Sequence, residues 1–449
     1  MRATRALAGA ILAAGVAGAC GAPRAADSPP AWDASREGAT GGARPGAAEA
    51  EPRVPAVLLA ADSLRAVPVA PGVRHFRAWF ARGPWAVHVV EIDAPTCGPV
   101  FEARKAGPPA SARATTSRLG AGAVVAVNAD FFRLPAGTTV GAHVRGGEVV
   151  AGPGARPVLA LGADGDWWIG RAQVNGEVVD ARTGAVVPLV QVNRPTAADT
   201  AGAVLFTGWV GAEAPPDSGA ATAVVRIVSG PAAGAGASGV VVHVDTIAAP
   251  QAIGPDAVVL RARGRAARRL RAFAPGDTVR WWVRLVPAAA ASRGPERAAQ
   301  APRPGGDGAI ARPAPSGRAG AGAAAVEAVG GFPVLLRGGA LAPEIAEGVS
   351  PAFGERRHPR TAVGIAAGGR RVLWVVVDGR QEPYSAGMSL RELAELMRGL
   401  GAEDAINLDG GGSSTLVVDG AVANRPSDRT GERPVGNALA LAACRSGGE

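Results

Sequence analysis

From about residue 72 onward, the chain is a succession of short apolar runs broken by glycine and proline. "WAVHVVEID" (85–93), "GAVVAVNADFF" (122–132), "PVLALGADGDWWIGR" (157–171) and "GVVVHVDTIA" (239–248) each read as a strand bounded by turn residues. "TVRWWVRLVP" (278–287) alternates apolar and polar positions, the pattern of a half-buried strand. With 64 glycines and 37 prolines in 449 residues, much of the remainder must be loop, turn or linker. Helical signals are fewer in this half.

A hydrophobic content of 47% against 19% charged residues excludes overall disorder. The net charge of +9 comes almost wholly from arginine, since Lys105 is the sole lysine. No basic run is interleaved with aromatics, so no nucleic-acid partner is expected. The arginine-dense "RARGRAARRLRAF" (261–273) reads as a strand and helix facing water. An anionic substrate or an acidic cell envelope suits the charge equally. Asparagine is scarce, and its six positions (128, 175, 193, 407, 424 and 437) mark places where chemistry or a turn demands it.

The first twenty residues have the layout of an export signal: Arg2 and Arg5, a short apolar core, then small residues before Cys20. "AGAC" resembles a lipobox, which would place a lipid on Cys20 as the sole membrane attachment, although Ala17 stands where Leu or Val is usual. Cleavage near Ala22 or Ala26 without lipid is the alternative. Residues 21–70 read as a disordered tether and 71–445 as the functional domain. Within that domain 288–324 is a low-complexity insertion, or else a separator of two domains. The exported location is periplasmic or outer-surface. There Cys97 and Cys444 would either be bridged or remain two separate buried thiols.

The final third carries most of the chemistry. "RRVLWVVVDGR" (370–380) is a buried strand, and "MSLRELAELMRGLGA" (388–402) a helix with Ser389 and Glu392 as a capping box. "DAINLD" (404–409) is a strand that delivers Asp409 to three glycines, 410–412. No lysine follows and no helix begins there, so this is not a nucleotide phosphate loop. Consecutive glycines still offer backbone N–H groups to an anion and leave a ligand room to approach. Ser413, Ser414 and Thr415 add hydroxyls. The loop 424–437 then brings Asn424, Arg425, Asp428, Glu432, Arg433 and Asn437 within one hairpin of Asp409. Arg360 precedes a strand in "RRHPRTAVGIA" (356–366), where it reads as an anion clamp or an ordinary strand entry. His358 beside it is a lone histidine, acid/base or structural. Asn128 and Asp130 end another apolar strand. Asp130, Asp409 and Asn128 are also hard oxygen donors of the kind calcium accepts, although no calcium-loop spacing is present.

Five stretches in order, "HPRTAVG", "VVVDGR", "SAGMSLRELAELM", "NLDGGGSSTLV" and "NRPSDRTGERPVGNAL", resemble the phosphodiester glycosidase family. "GPWAVHVVEID", "AVNADFF" and "VGGFPVLLRGG" extend the resemblance over roughly residues 70–442. Asp130 departs from it, since members often carry glycine there. The resemblance implies a single α/β domain with mixed, β-rich sheets and a few flanking helices. It also implies hydrolysis of a sugar-1-phosphodiester at the anomeric C–O bond. Such cleavage passes through an oxocarbenium-like state that needs carboxylates on one side and charge neutralisation at the leaving phosphate. On this basis Asp409 stabilises the cationic sugar or activates water, and Glu432 is its acid/base partner. Arg360, Arg425 and Arg433 hold the phosphate beside the 410–414 backbone and hydroxyls. Asn128, Asn407, Asn437 and Asp378 orient the sugar or the catalytic groups. The substrate would be a carbohydrate phosphodiester of envelope polymers or exopolysaccharide. The rival is a non-catalytic glycan-binding envelope lipoprotein, which predicts missing carboxylates or aromatics around the cleft.

Overall fold

The computed structural model describes residues 54–97, 101–109, 112–195, 201–288 and 324–442. The export signal, Cys20, nearly all of the 288–324 insertion and Cys444 lie outside the described residues, as does the side chain of Cys97. The site is carried by β1 (Val125–Asn128), β2 (Arg360–Ala366), β3 (Arg371–Val377), α1 (Leu390–Gly399), β4 (Ala402–Asn407), β5 (Leu416–Val418) and β6 (Ala438–Leu441).

The largest sheet has eight strands, in the order Ser63–Ala70, Val73–Phe80, Trp85–Asp93, β3, β2, β4, Val334–Arg337 and Ala340–Leu341. Because β2 lies between β3 and β4, the chain crosses over through α1. That helix starts as expected: Ser389 Oγ accepts from Glu392 N at 3.2 Å, and Glu392 Oε2 accepts from Ser389 N at 2.9 Å. Its stripe of Leu390, Leu393, Leu396 and Met397 packs against Leu373, Val375 and Ala405 of the sheet. Each such leucine, fully buried, contributes about 2 kcal/mol.

On the opposite face, Val363, Trp374 and Ile406 meet two further sheets of five strands each. One runs Ala421–Val422, β5, β1, β6 and Phe101–Arg104. The other runs Trp167–Gly170, Val158–Gly162, Ala325–Gly330, His143–Arg145 and Glu148–Ala151. The architecture is therefore mixed and β-rich with few helices, as expected.

Seven strands between Ala172 and Pro287 close into a barrel that periodicity did not announce. The half-buried strand read at 278–287 seals it by pairing with Ala172–Asp180. Val279, Trp281, Val283 and Leu285 fill the interior, while Thr278, Arg280 and Arg284 face out.

One boundary and one surface reading differ from expectation. The tether read to residue 70 gives way earlier, because Leu58 is buried and Ser63–Ala70 is an edge strand paired with Val73–Phe80. The arginine-dense stretch faces water only in part. Arg265, Arg268 and Arg269 are exposed on the helix Gly264–Leu270, but Arg261 is buried and donates to the carbonyls of Pro215 and Ala249.

Candidate active site

The seam between the eight-stranded sheet and the β1 sheet sets the site. Asn128, at the end of β1, accepts from Thr361 Oγ1 of β2 at 2.8 Å and donates to the carbonyl of Asp409 at 2.6 Å. Asp409 N in turn donates to Ala129 O at 2.8 Å. These bonds bring the ends of two apolar strands together and place Asp130 beside Asp409.

Asp409 is half-buried and its Oδ1 accepts from Gly410 N at 3.0 Å. Burial pushes its carboxyl up to about 6, against the downward pull of the Ser413 hydroxyl, the Gly410 amide, Arg433 and Arg156. Asp130 is fully buried, with Oδ2 accepting from Gly141 N at 2.6 Å and its own amide donating to Asn437 Oδ1 at 2.8 Å. Burial pushes it up to about 7; the Gly141 bond, Arg156 and Arg194 oppose the rise, and the charge of Asp409 adds to it. Two carboxylates titrating near neutrality in one site suit proton transfer.

The glycines after Asp409 do separate jobs. Gly411 sits at φ 62°, and a Cβ there would be 3.2 Å from the Arg380 guanidinium. At Gly412 a Cβ would stand 2.0 Å from Asp428 Oδ1 and 2.3 Å from Arg433 Nη2, so glycine alone lets this ion pair close over the loop. Arg433 grips Asp428 with two bonds of 2.9 and 3.0 Å. Arg380 donates to His358 Nδ1 at 3.2 Å, and burial holds His358 below its usual range, as a neutral acceptor. A cleft of about 460 Å3, lined by Arg357, Arg380, Glu382 and Ala386, reaches the loop through Arg380. The buried hydroxyls of Ser414 and Thr415 have no hydrogen-bond partner among the described residues.

Residues 235–442, which include this loop, match the family model for phosphodiester glycosidase. That stretch is similar to the phosphodiester glycosidase family. The N-acetylglucosamine-1-phosphodiester alpha-N-acetylglucosaminidase of Mus musculus is 46% identical over 69 residues, 15% of this chain and 13% of the mouse protein. The chain thus spans a small part of the curated relatives it matches. Two solved structures share the fold. A hypothetical protein from Synechocystis has a TM-score of 0.59 at 22% identity, covering 85% of this chain and 64% of that one. A putative exported protein from Burkholderia pseudomallei has a TM-score of 0.55 at 27% identity, covering 80% and 74%.

Several residues expected in the site from sequence are engaged in bracing its surroundings. Arg360 is buried and gives its N–H groups to the carbonyls of Met388 (2.9 Å), Phe353 (2.7 Å) and Arg356 (3.2 Å), which leaves little for a phosphate. Glu432 turns to the Ser117 amide at 2.9 Å, in the first turn of the helix Thr116–Leu119. Asp378 is buried and accepts from Asn424 Nδ2, Tyr384 OH and the Arg425 amide, so it fixes the polar loop. Asn407 donates to Phe332 O and Leu408 O, and Asn437 holds Asp130 and contacts His143 Nδ1 at 3.0 Å. Burial lowers His143 to about 3, so it is neutral and Nδ1 is the acceptor. Arg425 is exposed, with its guanidinium over the Tyr384 ring at 5.2 Å.

The calcium reading fits poorly. No group of three or more His, Cys, Asp or Glu side chains gathers among the described residues. Asn128 spends its oxygen on Thr361 and Thr415, and the positive charges of Arg156 and Arg433 already act on Asp409.

Proposed function

We propose that this chain hydrolyses sugar-1-phosphodiesters at the anomeric C–O bond. One observation carries the reading: a strand-end carboxylate, Asp409, lies between a second carboxylate, Asp130, and a glycine loop flanked by Arg433 and Arg380. The C1–O bond breaks and its electron pair goes to the phosphate oxygen. Water oxygen bonds to C1, and a water proton passes to Asp409. A carboxyl raised to about 6 is ionised at neutral pH yet basic enough to accept that proton. Asp130 takes over from Glu432 as the second carboxylate, holding the pair near one negative charge. Arg433 and Arg380 neutralise the leaving phosphate, so little proton donation is needed.

The family match and the matching segment of the mouse enzyme support this chemistry. The export layout of the first twenty residues supports an envelope or exopolysaccharide substrate met outside the cytoplasm. Turnover would be independent of calcium and insensitive to a chelator. The test is release of free sugar, followed by NMR, from a panel of alkyl and aryl phosphodiesters of common hexoses and N-acetylhexosamines. Release from at least one supports the reading. A folded protein that binds panel members and releases nothing is a glycan-binding protein instead.

A further inference from the structure

Arg156 lies outside the matched stretch 235–442, in the loop between the strands Glu148–Ala151 and Val158–Gly162. The loop is strapped on both sides of it. Pro153 O accepts from Gln191 Nε2 at 2.9 Å, Ala155 O from Arg171 Nη1 at 3.0 Å, and Pro157 O from Gly331 N at 3.1 Å. The guanidinium then lies over two phenyl rings, 4.5 Å from the centroid of Phe131 and 5.2 Å from that of Phe332. Phe353 backs both rings, at 5.9 and 6.5 Å. A cation so held loses little conformational freedom on binding a ligand.

Its position is the informative part. Phe131 follows Asp130 directly, and Phe332 N donates to Asn407 O at 2.8 Å, two residues before Asp409. The charge of Arg156 accordingly acts on both carboxylates. Yet Arg156 Nη1 is buried with no hydrogen-bond partner among the described residues. A buried guanidinium N–H left unspent is costly, and an incoming anion would satisfy it. Two neighbouring arginines are committed, Arg360 to three carbonyls and Arg194 to the carbonyls of Gly152, Thr139 and Gly141, while Arg433 holds Asp428 through Nε and Nη2.

We propose that Arg156 is a phosphate-binding residue, gripping the phosphoryl group of the substrate beside Asp130 and Asp409. The inference rests on the reading of this site as a phosphodiester glycosidase and adds the residue that closes the anion site from the N-terminal half. The added cation favours a charged phosphodiester over a neutral aglycone.

The experiment uses the full chain and Arg156→Met, which keeps a side chain able to pack on the phenyl rings, with Arg156→Lys as the charge-retaining control. Binding of inorganic phosphate is measured by calorimetry. Hydrolysis of an N-acetylglucosamine 1-(methyl phosphate) is compared with that of a neutral p-nitrophenyl N-acetylglucosaminide. Arg156→Met should weaken phosphate binding about ten- to a hundredfold and depress phosphodiester kcat/KM by a similar factor. The neutral glycoside should be little affected, and Arg156→Lys should recover part of the loss. Unchanged phosphate affinity in Arg156→Met, at a wild-type melting temperature, overturns the assignment; Arg156 is then only a counter-charge for Asp130 and Asp409. If the wild type hydrolyses neither compound, the functional reading fails by itself, and the phosphate titration still decides the role of Arg156.

Discussion

Asn128 holds Asp409 by its backbone: Nδ2 donates to the Asp409 carbonyl at 2.6 Å, while Oδ1 accepts from Thr361 Oγ1 and Thr415 N at 2.8 and 3.1 Å. A single buried side chain thus joins both sheets to the glycine loop. Asn128→Ala removes three bonds and leaves buried partners unpaired. It should cost about 2–4 kcal/mol in urea unfolding and lower kcat more than it raises KM. Unchanged stability would mean that the loop holds itself.

The two carboxylates named from sequence should separate in their effects. Asp409→Asn removes the base and should lower kcat about a thousandfold or more, with melting temperature near wild type. Glu432→Gln keeps an oxygen for the Ser117 amide and should leave kcat within about threefold, since Glu432 is spent on that amide. A large loss in Glu432→Gln would restore Glu432 to the chemistry.

Arg360 should behave as a brace. Burial lowers its guanidinium only to about 10, so it stays charged while donating to three carbonyls. Arg360→Met should destabilise the fold by about 2–4 kcal/mol and leave KM close to wild type at a temperature where the variant is folded. A stable variant with strongly raised KM would make Arg360 the anion clamp after all.

Asp130 gives the fold a pH dependence whose sign is fixed. Its folded value, about 7, lies above the ordinary aspartate value of 3.8, so its stabilising share is full below about pH 4 and falls away as pH rises to about 7. His143, lowered to about 3, contributes the opposite slope below its unfolded value of 6.5, so a single stability profile mixes the two. The difference between Asp130→Asn and wild type isolates Asp130. The variant should gain about 2–4 kcal/mol relative to wild type between pH 4 and pH 8 in chemical denaturation. The acid limb of its kcat/KM profile should hardly move, because at about pH 6, where Asp409 titrates, Asp130 is still mostly protonated and uncharged. A flat stability difference would remove the coupled pair.

The sequence was most legible where the physics is local. The capping box of α1 and the alternation of 278–287 depend on neighbours within a few residues, and both appear as read. Asp409 was visible because a strand running into three glycines is a local pattern. The barrel was not, because closing it pairs Ala172–Asp180 with a strand about a hundred residues away, and no local period encodes that register. Direction of side chains was likewise hidden. Glu432 and Arg433 are adjacent, yet one reaches the Ser117 amide and the other grips Asp428 over the catalytic glycines. Arg156 carried no motif at all, since its role arises from Phe131 and Phe332, brought together by folding.

The central claim is which bond breaks, and oxygen labelling reads it directly. A sugar-1-phosphodiester turned over in H2(18)O should give sugar labelled at the anomeric hydroxyl and unlabelled phosphomonoester, as seen by mass spectrometry and the 31P isotope shift. Label in the phosphomonoester, with unlabelled sugar products, would show cleavage at phosphorus and contradict the account of Asp409 and its arginines.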